Sequence, residues 1–378
     1  LTLCSRCGER IYCSERCQRR DWPEHKLKCG KTHRINLESF YPVLAVLADA
    51  VHSLMLPPHF AMLSRVVNDI NPSLVPSLLP NGALAKLLEI DDIEQKLFMD
   101  PLDWAPLAQS RPVAAKMMQR IMREGHLLPI LTALCVSLLG EMYTTTSVYG
   151  SNLVRKRLQY RTSPIADFGI ARGSVYVHES DRLVYKRRSN GTYVLGQDPE
   201  EHFWLYFTTI RGEEVILDVG MFTFNFCTVV KSEQYTPPAW KDLVIDITPA
   251  FFINREIRTN APGNHTEHKR VSALRDSRLH QAVRYIQHAL DDPEIASISA
   301  FMKDIAGRTI SKKETTIVGQ AAMSFCPKLE EILEKEKWRA FPEQPPFTIQ
   351  TDPGERSNWD DLPEPKRKKK PATRESTA

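Results

Sequence analysis

The chain has 378 residues, of which 42% are hydrophobic and 25% are charged, and its formal net charge is +4. This length allows two or three folded units with a buried core, and the composition is that of a globular protein. So small a net charge does not by itself indicate nucleic acid as a partner. The most apolar stretch, Leu127 to Gly140, is interrupted by Pro129 and is shorter than the roughly 20 residues of a membrane-spanning helix. No membrane partner is therefore expected.

The cysteines are concentrated at the N-terminus, where five of the eight occur within 29 residues together with one histidine. A spacing of two residues lets a tight turn direct two thiolates at one ion, and a spacing of four places two side chains on one helix face. Soft thiolates with an imidazole select Zn²⁺ over hard cations. A metal-free thiol cluster this short would lack a core, so zinc is expected to supply its folding energy. The candidate ligands are Cys4, Cys7, Cys13, Cys17, His25 and Cys29.

The spacing and the intervening residues together resemble a MYND-type zinc finger. The shared features are Cys-Ser-Arg-Cys, Tyr-Cys-Ser, Cys-Gln, Asp-Trp and His-Lys-x-x-Cys, all within residues 1–30. The resemblance implies two interleaved zinc sites, one complete and structural and the other half complete. The missing half would be a cysteine pair before Cys4, and we expect that the sequence begins within the finger. The complete site would use Cys4, Cys7, His25 and Cys29, and the half site would use Cys13 and Cys17.

The same resemblance implies a binding surface for a proline-rich peptide, formed by Gln18 and Trp22. An exposed tryptophan offers a flat apolar face on which a polyproline II segment can lie. The alternative is that Trp22 packs inside the finger. Basic residues around it raise nucleic acid as a partner, but single fingers that read DNA need a helix with base contacts and tandem copies. Neither is visible, so nucleic acid is not expected.

Residues 36–143 are predicted to form a helical region. Apolar residues recur at helical spacing from Tyr41 to Met55, and a second helix is predicted after Asn81-Gly82, with Leu84, Leu87 and Leu88 on one side. Further helices are predicted for Val113 to Arg123 and for Leu127 to Met142.

Residues 144–340 are predicted to form an α+β domain. An amphipathic helix from Ser151 to Arg161 would be followed by an antiparallel sheet with turns at Asn190-Gly191 and Arg211-Gly212. Helices are predicted to return with Val271 and Leu274. The predicted strands are Ala166 to Val177, Arg182 to Lys186, His202 to Ile210, Val215 to Asp218 and Met221 to Val230, with a further one between Leu243 and Ile253.

Residues 341–378 are proline-rich and charged, and we predict a disordered tail. The basic run Lys366 to Lys370 is either a nuclear localisation signal or a solvated part of that tail. The cysteines outside the finger, Cys135, Cys227 and Cys326, are isolated in apolar stretches and are predicted to be buried thiols. The N-terminal thiol cluster and the isolated buried thiols both indicate a reducing compartment. The predicted location is therefore nuclear or cytoplasmic.

A histidine and an aspartate in the predicted α+β domain occur in an order that is also found in a family of enzymes. His202-Phe203-Trp204 opens a predicted strand and Asp218 ends the next, so a hairpin could bring the two together. This order resembles the transglutaminase-like, papain-related fold, in which a cysteine is the nucleophile, the histidine its base and the aspartate the group that orients the histidine. No cysteine lies near the start of the preceding helix. We therefore name no catalytic residue, and expect either a degenerate relative or a chance pairing.

A methyltransferase domain of the SET type accompanies some MYND fingers, and Arg211-Gly212-Glu213-Glu214-Val215 resembles one SET fragment. The Asn-His-Ser-Cys-x-Pro-Asn type of motif that should precede it is not found. The leading prediction is thus a zinc-binding MYND-type adaptor for proline-rich peptides. The alternative is a cysteine-hydrolase or transglutaminase-like enzyme, active or degenerate. A thiol of Cys135 or Cys227 beside His202 would favour the enzyme.

Overall fold

A computed structural model describes residues 2–7, 10–30, 33–91, 97–143, 156–240, 246–260, 263–283 and 290–355. Residues 2–30 form a small N-terminal unit with its own buried cluster of Cys4, Cys7 and Tyr12. Residues 33–355, here called the body, contain the larger cores and most of the secondary structure.

Several helices begin at a polar side chain that accepts a backbone N–H, as short polar residues do at N-caps. Ser14 accepts from Cys17, Asn36 from Glu38, and Ser311 from Glu314. The helices are α1 (Glu15–Lys28), α2 (Leu37–Ala50), α3 (Pro101–Trp104), α4 (Arg111–Met122), α5 (Leu127–Leu138), α6 (Arg255–Asn260), α7 (Ser277–Ala282), α8 (Asp292–Ala306) and α9 (Lys312–Glu334).

The strands are mostly short and rich in β-branched and aromatic residues, which suit a pleated surface. They are β1 (Thr2–Leu3), β2 (Ile11–Tyr12), β3 (Arg34–Asn36), β4 (Arg65–Val66), β5 (Ser77–Leu78), β6 (Leu84–Asp91), β7 (Arg157–Tyr160), β8 (Ser163–Val175), β9 (Leu183–Arg187), β10 (Tyr193–Leu195), β11 (His202–Thr209), β12 (Glu214–Asp218), β13 (Thr228–Lys231), β14 (Ile247–Pro249), β15 (Phe251–Ile253), β16 (His265–Ser272) and β17 (Phe347–Ile349).

The main sheet has the order β15-β12-β11-β8-β7-β3, and β16 pairs with β8 along the same edge as β7. All of its pairings are antiparallel except that of β3 with β7. The predicted α+β architecture with an antiparallel sheet is therefore confirmed. The hairpin between β11 and β12 turns at Gly212, whose φ of +79° suits a residue without a side chain.

Strand β11 is covered on both faces, which explains why its sequence is almost continuously apolar. Phe203, Leu205 and Phe207 point into the largest core, which also contains α2, α5 and α9. Trp204 and Tyr206 point into a second core on the opposite face. This alternation follows from the two-residue period of a strand.

Two predicted helices are wrong. The segment after Asn81-Gly82 is strand β6, because Gly82 (φ +81°) makes a turn and the segment then pairs in parallel with β9. Leucines at 84, 87 and 88 fit a helix face, but Leu88 and Ile90 are the ones fully buried, at strand spacing. The predicted helix Ser151 to Arg161 contains strand β7, and its residues 151–155 lie outside the described residues.

Two further segments differ from the prediction. In the predicted strand Met221 to Val230, Met221–Phe224 is a 3-10 turn and the strand begins only at Thr228. The predicted tail from residue 341 includes β17, which pairs with β13, so the structured part extends at least to Glu355. Residues 356–378 lie outside the described residues.

Taken singly, no helix in the described ranges could span a membrane. By length and composition only, the segments Arg111–Met122 and Leu127–Tyr143 together meet the criterion for a membrane span, with a bend of 70° between them.

Candidate metal centre

Four side chains of the N-terminal unit converge on one point. Cys4 and Cys7 lie in the turn after β1, which is closed by a hydrogen bond from Cys4 N to Arg10 O of 2.9 Å. His25 lies in the last turns of α1 and Cys29 directly follows that helix. Their ligand atoms all lie within 4.8 Å of one another, and Cys4, Cys7 and His25 are nearly inaccessible to solvent.

The distances fit a tetrahedral zinc ion. Cys4 Sγ and Cys29 Sγ are 4.0 Å apart, and Cys7 Sγ lies 3.3 Å from His25 Nε2. Zn–S bonds of about 2.3 Å place two sulfur ligands of a tetrahedron about 3.8 Å apart. Burial raises the pKa of the Cys4 thiol, but hydrogen bonds from the backbone of Cys7 and Arg6 outweigh it and leave the pKa below its ordinary value. The turn therefore favours the thiolate, which is the form that binds metal.

The MYND finger family matches residues 1–29. Residues 1–29 form a MYND-type zinc finger. The bovine N-lysine methyltransferase SMYD2 is 55% identical over 30 residues, which are 8% of this chain and 7% of that protein. No solved structure matches the chain. Zinc is the cofactor of the MYND finger, and Cys4, Cys7, His25 and Cys29 are the ligands that the geometry groups together.

The second predicted pair, Cys13 and Cys17, lies outside this four-ligand group. Their Sγ atoms are 2.8 Å apart, with Cys13 exposed and Cys17 half-buried. Hydrogen bonds from Cys13 and Ser14 lower the pKa of Cys17. The separation of the two Sγ atoms is shorter than the roughly 3.8 Å between two sulfur ligands of one zinc ion, and metal binding by the pair stays a prediction.

Trp22 has features of both predicted alternatives, an exposed binding face and packing inside the finger. It packs on the zinc site and is also exposed. Its ring meets the His25 ring edge to face, with centroids 5.9 Å apart, while 38% of the residue is accessible to solvent. Gln18 is half-buried and precedes Trp22 by four residues on α1, so both lie on one helix face. The neighbouring Asp21 accepts a hydrogen bond of 2.8 Å from the Tyr12 hydroxyl, which fixes this turn of the helix to β2.

The body contains a second polar cluster, here called the His202 cluster: His202, Asp218 and His265. The hairpin brings His202 Nε2 to 2.7 Å from Asp218 Oδ2, as the sequence suggested. His265, at the start of β16, also places its Nε2 2.7 Å from Asp218 Oδ2. The backbone N–H of Gly220 donates to Asp218 Oδ1 at 2.8 Å. Asp218 thus accepts three hydrogen bonds while fully buried.

Sequence reasoning missed His265 as a member of this cluster. In the sequence it follows Asn264, and this Asn-His pair lacks the Cys and Pro of the SET-type motif. Its role depends on the pairing of β16 with β8, in which His265 lies opposite Val175. No local spacing reports a contact between residues 47 positions apart, so the sequence carried no signal for it.

The His202 cluster has no thiol nucleophile beside it among the described residues. The ring of His202 contacts Trp204, Phe224 and His265. Cys135 lies in the largest core, and Cys227 lies in a small cluster with Phe222 and Val229. Burial raises the pKa of Cys135 and raises that of Cys227 to about 12, so neither is a ready thiolate. Thr146, Ser147 and Ser151, which have hydroxyl groups and lie where a nucleophilic cysteine would be expected, are outside the described residues.

The donor set of the His202 cluster also resembles a metal site, because its three ligand atoms lie within 4.8 Å of one another. Two imidazoles and a carboxylate are ligands that transition metals accept. However, a metal-bound histidine normally donates its second ring N–H to an acceptor. His202 Nδ1 is buried and has no such acceptor among the described residues. The arrangement is better explained by two Nε2–H donors that share one carboxylate oxygen.

Proposed function

We propose that this protein is an adaptor whose MYND finger binds a proline-rich peptide segment of another protein through Trp22 and Gln18. The observation that supports it is the position of Trp22, which is 38% exposed although its ring packs against the zinc ligand His25. A tryptophan supported from behind by a metal ligand is held in one orientation, so little conformational entropy is lost when a peptide binds.

The chemistry of the surface suits such a peptide. Polyproline II segments bind to exposed aromatic faces, because their backbone is extended before binding. The side-chain amide of Gln18 supplies both a donor and an acceptor one helical turn from the ring, where it can bond the peptide backbone. Arg19, Arg20 and Lys26 are exposed on the same helix and favour a peptide with acidic residues beside its prolines.

The test is binding of a panel of fluorescent proline-rich peptides to the full chain, measured by anisotropy. Trp22→Ala should weaken binding about 30-fold, since loss of a central aromatic contact costs about 2 kcal/mol or more. Zinc content should be unchanged, because Trp22 is not a ligand.

Leu27→Ala is the matched control. Leu27 is 65% exposed on the same helix but lies on a different face from Trp22, so its loss should not affect the peptide. Equal binding by wild type and Trp22→Ala would remove Trp22 from the surface. Peptides in which alanine replaces proline should bind weakly to every variant.

The similarity to SMYD2 does not extend this proposal to methyl transfer. The matched residues cover 7% of that protein and lie in the stretch that the MYND finger family also matches. The similarity therefore supports the binding module and leaves methyl transfer by the body without support.

A further inference from the structure

A cleft of about 420 Å³ lies in the body, and neither the ligands of the zinc site nor the members of the His202 cluster line it. It is bordered by α4, by β6, by the turn Glu179–Asp181 and by the C-terminal segment 352–355. Ligand sites in proteins commonly have volumes of roughly 300–1,000 Å³, with apolar walls and a few polar groups. The apolar part of the wall includes Ile70, Leu84, Val113 and Met117.

Three cationic side chains line the cleft, and each is largely withdrawn from solvent. Lys86 donates from Nζ to the carbonyl oxygen of Asn71 at 2.7 Å. Arg120 donates to the carbonyl oxygens of Thr223 (3.2 Å) and Asp181 (2.7 Å). These acceptors are neutral. Burial, together with the charge of Arg120, lowers the pKa of Lys86 to about 8. This end of the cleft also contains the carboxylate of Asp181, which accepts a hydrogen bond of 2.9 Å from Asn225 Nδ2.

The third cation, Lys116, is paired with Glu355 from the far end of the chain. Lys116 Nζ contacts Glu355 Oε2, and both side chains are less than a tenth exposed. The carboxylate is presented by a turn in which Glu355 N donates to Asp352 O at 3.0 Å and Gly354 has a φ of +84°. Gln109 Nε2 holds this turn through Pro353 O at 3.2 Å.

We propose that this cleft is a binding pocket for a small organic anion, and that Glu355 occupies its anion position when the ligand is absent. A buried ammonium without a counterion is costly, so Glu355 can leave Lys116 only if another oxyanion replaces it. Without Glu355 and Asp352, the three cations would face the carboxylates of Asp181 and Glu179. The apolar wall and the remaining volume then select an anion that carries a hydrocarbon part.

The experiment uses the full chain with Glu355→Ala, probed with sodium propionate and with inorganic phosphate. Saturable stabilisation is followed by thermal unfolding and by line broadening of labelled propionate. Propionate should half-saturate the variant at a concentration at least about tenfold lower than the wild type, because the tethered carboxylate of Glu355 competes at a high effective concentration. Adding Lys116→Met to the variant should abolish the binding, and Glu330→Ala, an exposed glutamate, should behave as wild type.

Each outcome decides the proposal. Tighter binding of propionate assigns a carboxylate ligand, and tighter binding of phosphate assigns a phosphate ester. If Glu355→Ala unfolds without cooperativity in plain buffer, propionate should restore the transition by pairing Lys116, and failure to restore it would overturn the proposal. Equal anion binding by wild type and Glu355→Ala would also overturn it. So would binding that survives Lys116→Met, since it would reflect a general salt effect.

Discussion

Asp218 joins three segments of the body through one buried carboxylate. Its two oxygens accept hydrogen bonds from His202, His265 and Gly220, which come from three separate segments of the chain. Gly220 is suited to its place, because an added Cβ would lie 2.8 Å from the ring of His202. The cluster therefore fixes the ends of β11, β12 and β16 against one another, which is a structural role.

Replacement of Asp218 by alanine should destabilise the body strongly. The change leaves two buried imidazoles without their shared acceptor, and the loss of one partner from a buried pair costs about 3–5 kcal/mol. Urea unfolding of the full chain measures this free energy. Asp103→Asn, at an exposed position, should change it by less than about 0.5 kcal/mol. A similarly small effect of Asp218→Ala would contradict the structural role.

The same residue should make stability depend on pH. Burial alone would raise the pKa of Asp218, but the charge and hydrogen bond of His202 and the hydrogen bond of His265 hold it well below its ordinary value. A carboxyl with a lowered folded-state pKa stabilises fully above its unfolded pKa of about 3.9 and loses that effect as the pH falls further. The free energy of unfolding should therefore decrease below about pH 4.5. Asp218→Asn should flatten this decrease, and an identical pH profile would argue against it.

At the scale of the elements, β8 organises the main sheet, since β7, β11 and β16 all pair with it. Two glycines in β8 allow β16 to come close. A Cβ on Gly169 would lie 2.1 Å from the carbonyl oxygen of Val271, and one on Gly173 would lie 1.9 Å from that of Thr266. Because these neighbours are backbone atoms, neither can move aside without shifting the strand.

Gly173→Ala should therefore displace β16 and, with it, His265. The methyl group would also lie 2.8 Å from the buried ring of Trp204, so no side-chain rotation relieves the clash. We expect a loss of at least about 2 kcal/mol of stability, together with a change in tryptophan fluorescence. Ser174→Ala, the next residue in the strand, is the control and should change neither. Wild-type behaviour of Gly173→Ala would mean that β16 does not pack as described.

The sequence predicted those features whose pattern lies within a short stretch of the chain, and it missed those that depend on distant contacts. The four zinc ligands were found because they lie within 26 residues and a turn and a helix face fix their spacing. Helix α5 was found because an apolar run of its length is typical of a buried helix. Strand β6 was predicted as a helix, because its leucines fit both periods and only the parallel partner β9 decides between them. The sequence did not indicate the partners of His265 and Lys116, because these partners are far away in the chain.

At the scale of the whole molecule, Arg34 and Ile11 provide contacts between the described residues of the MYND finger and those of the body. Arg34 Nη2 donates to Cys7 O at 3.2 Å, and Ile11 packs against the largest core. The buried cluster of the finger is otherwise separate. The two parts should therefore unfold separately, because the finger depends on zinc and the body on its apolar core.

Metal analysis of the purified chain should give one tightly bound zinc per chain, from the complete group of three cysteines and one histidine in the described residues, Cys4, Cys7, His25 and Cys29. Cys29→Ser should lose this zinc and the structure of the finger while the thermal transition of the body persists. Cys326→Ser, which replaces a buried thiol on α9, should keep the zinc. Two tightly bound equivalents in the wild type would contradict this expectation.

Strand β17 has a practical consequence for expression of the body alone. It covers one edge of β13, the strand that contains Val229 and Val230. A fragment ended at residue 340, before the proline-rich segment, would leave the backbone of that edge unpaired and Lys116 without its partner. Uncovered edges of apolar strands recruit strands from other molecules. Such a fragment should accumulate in inclusion bodies, whereas one ended after Glu355 should stay dispersed.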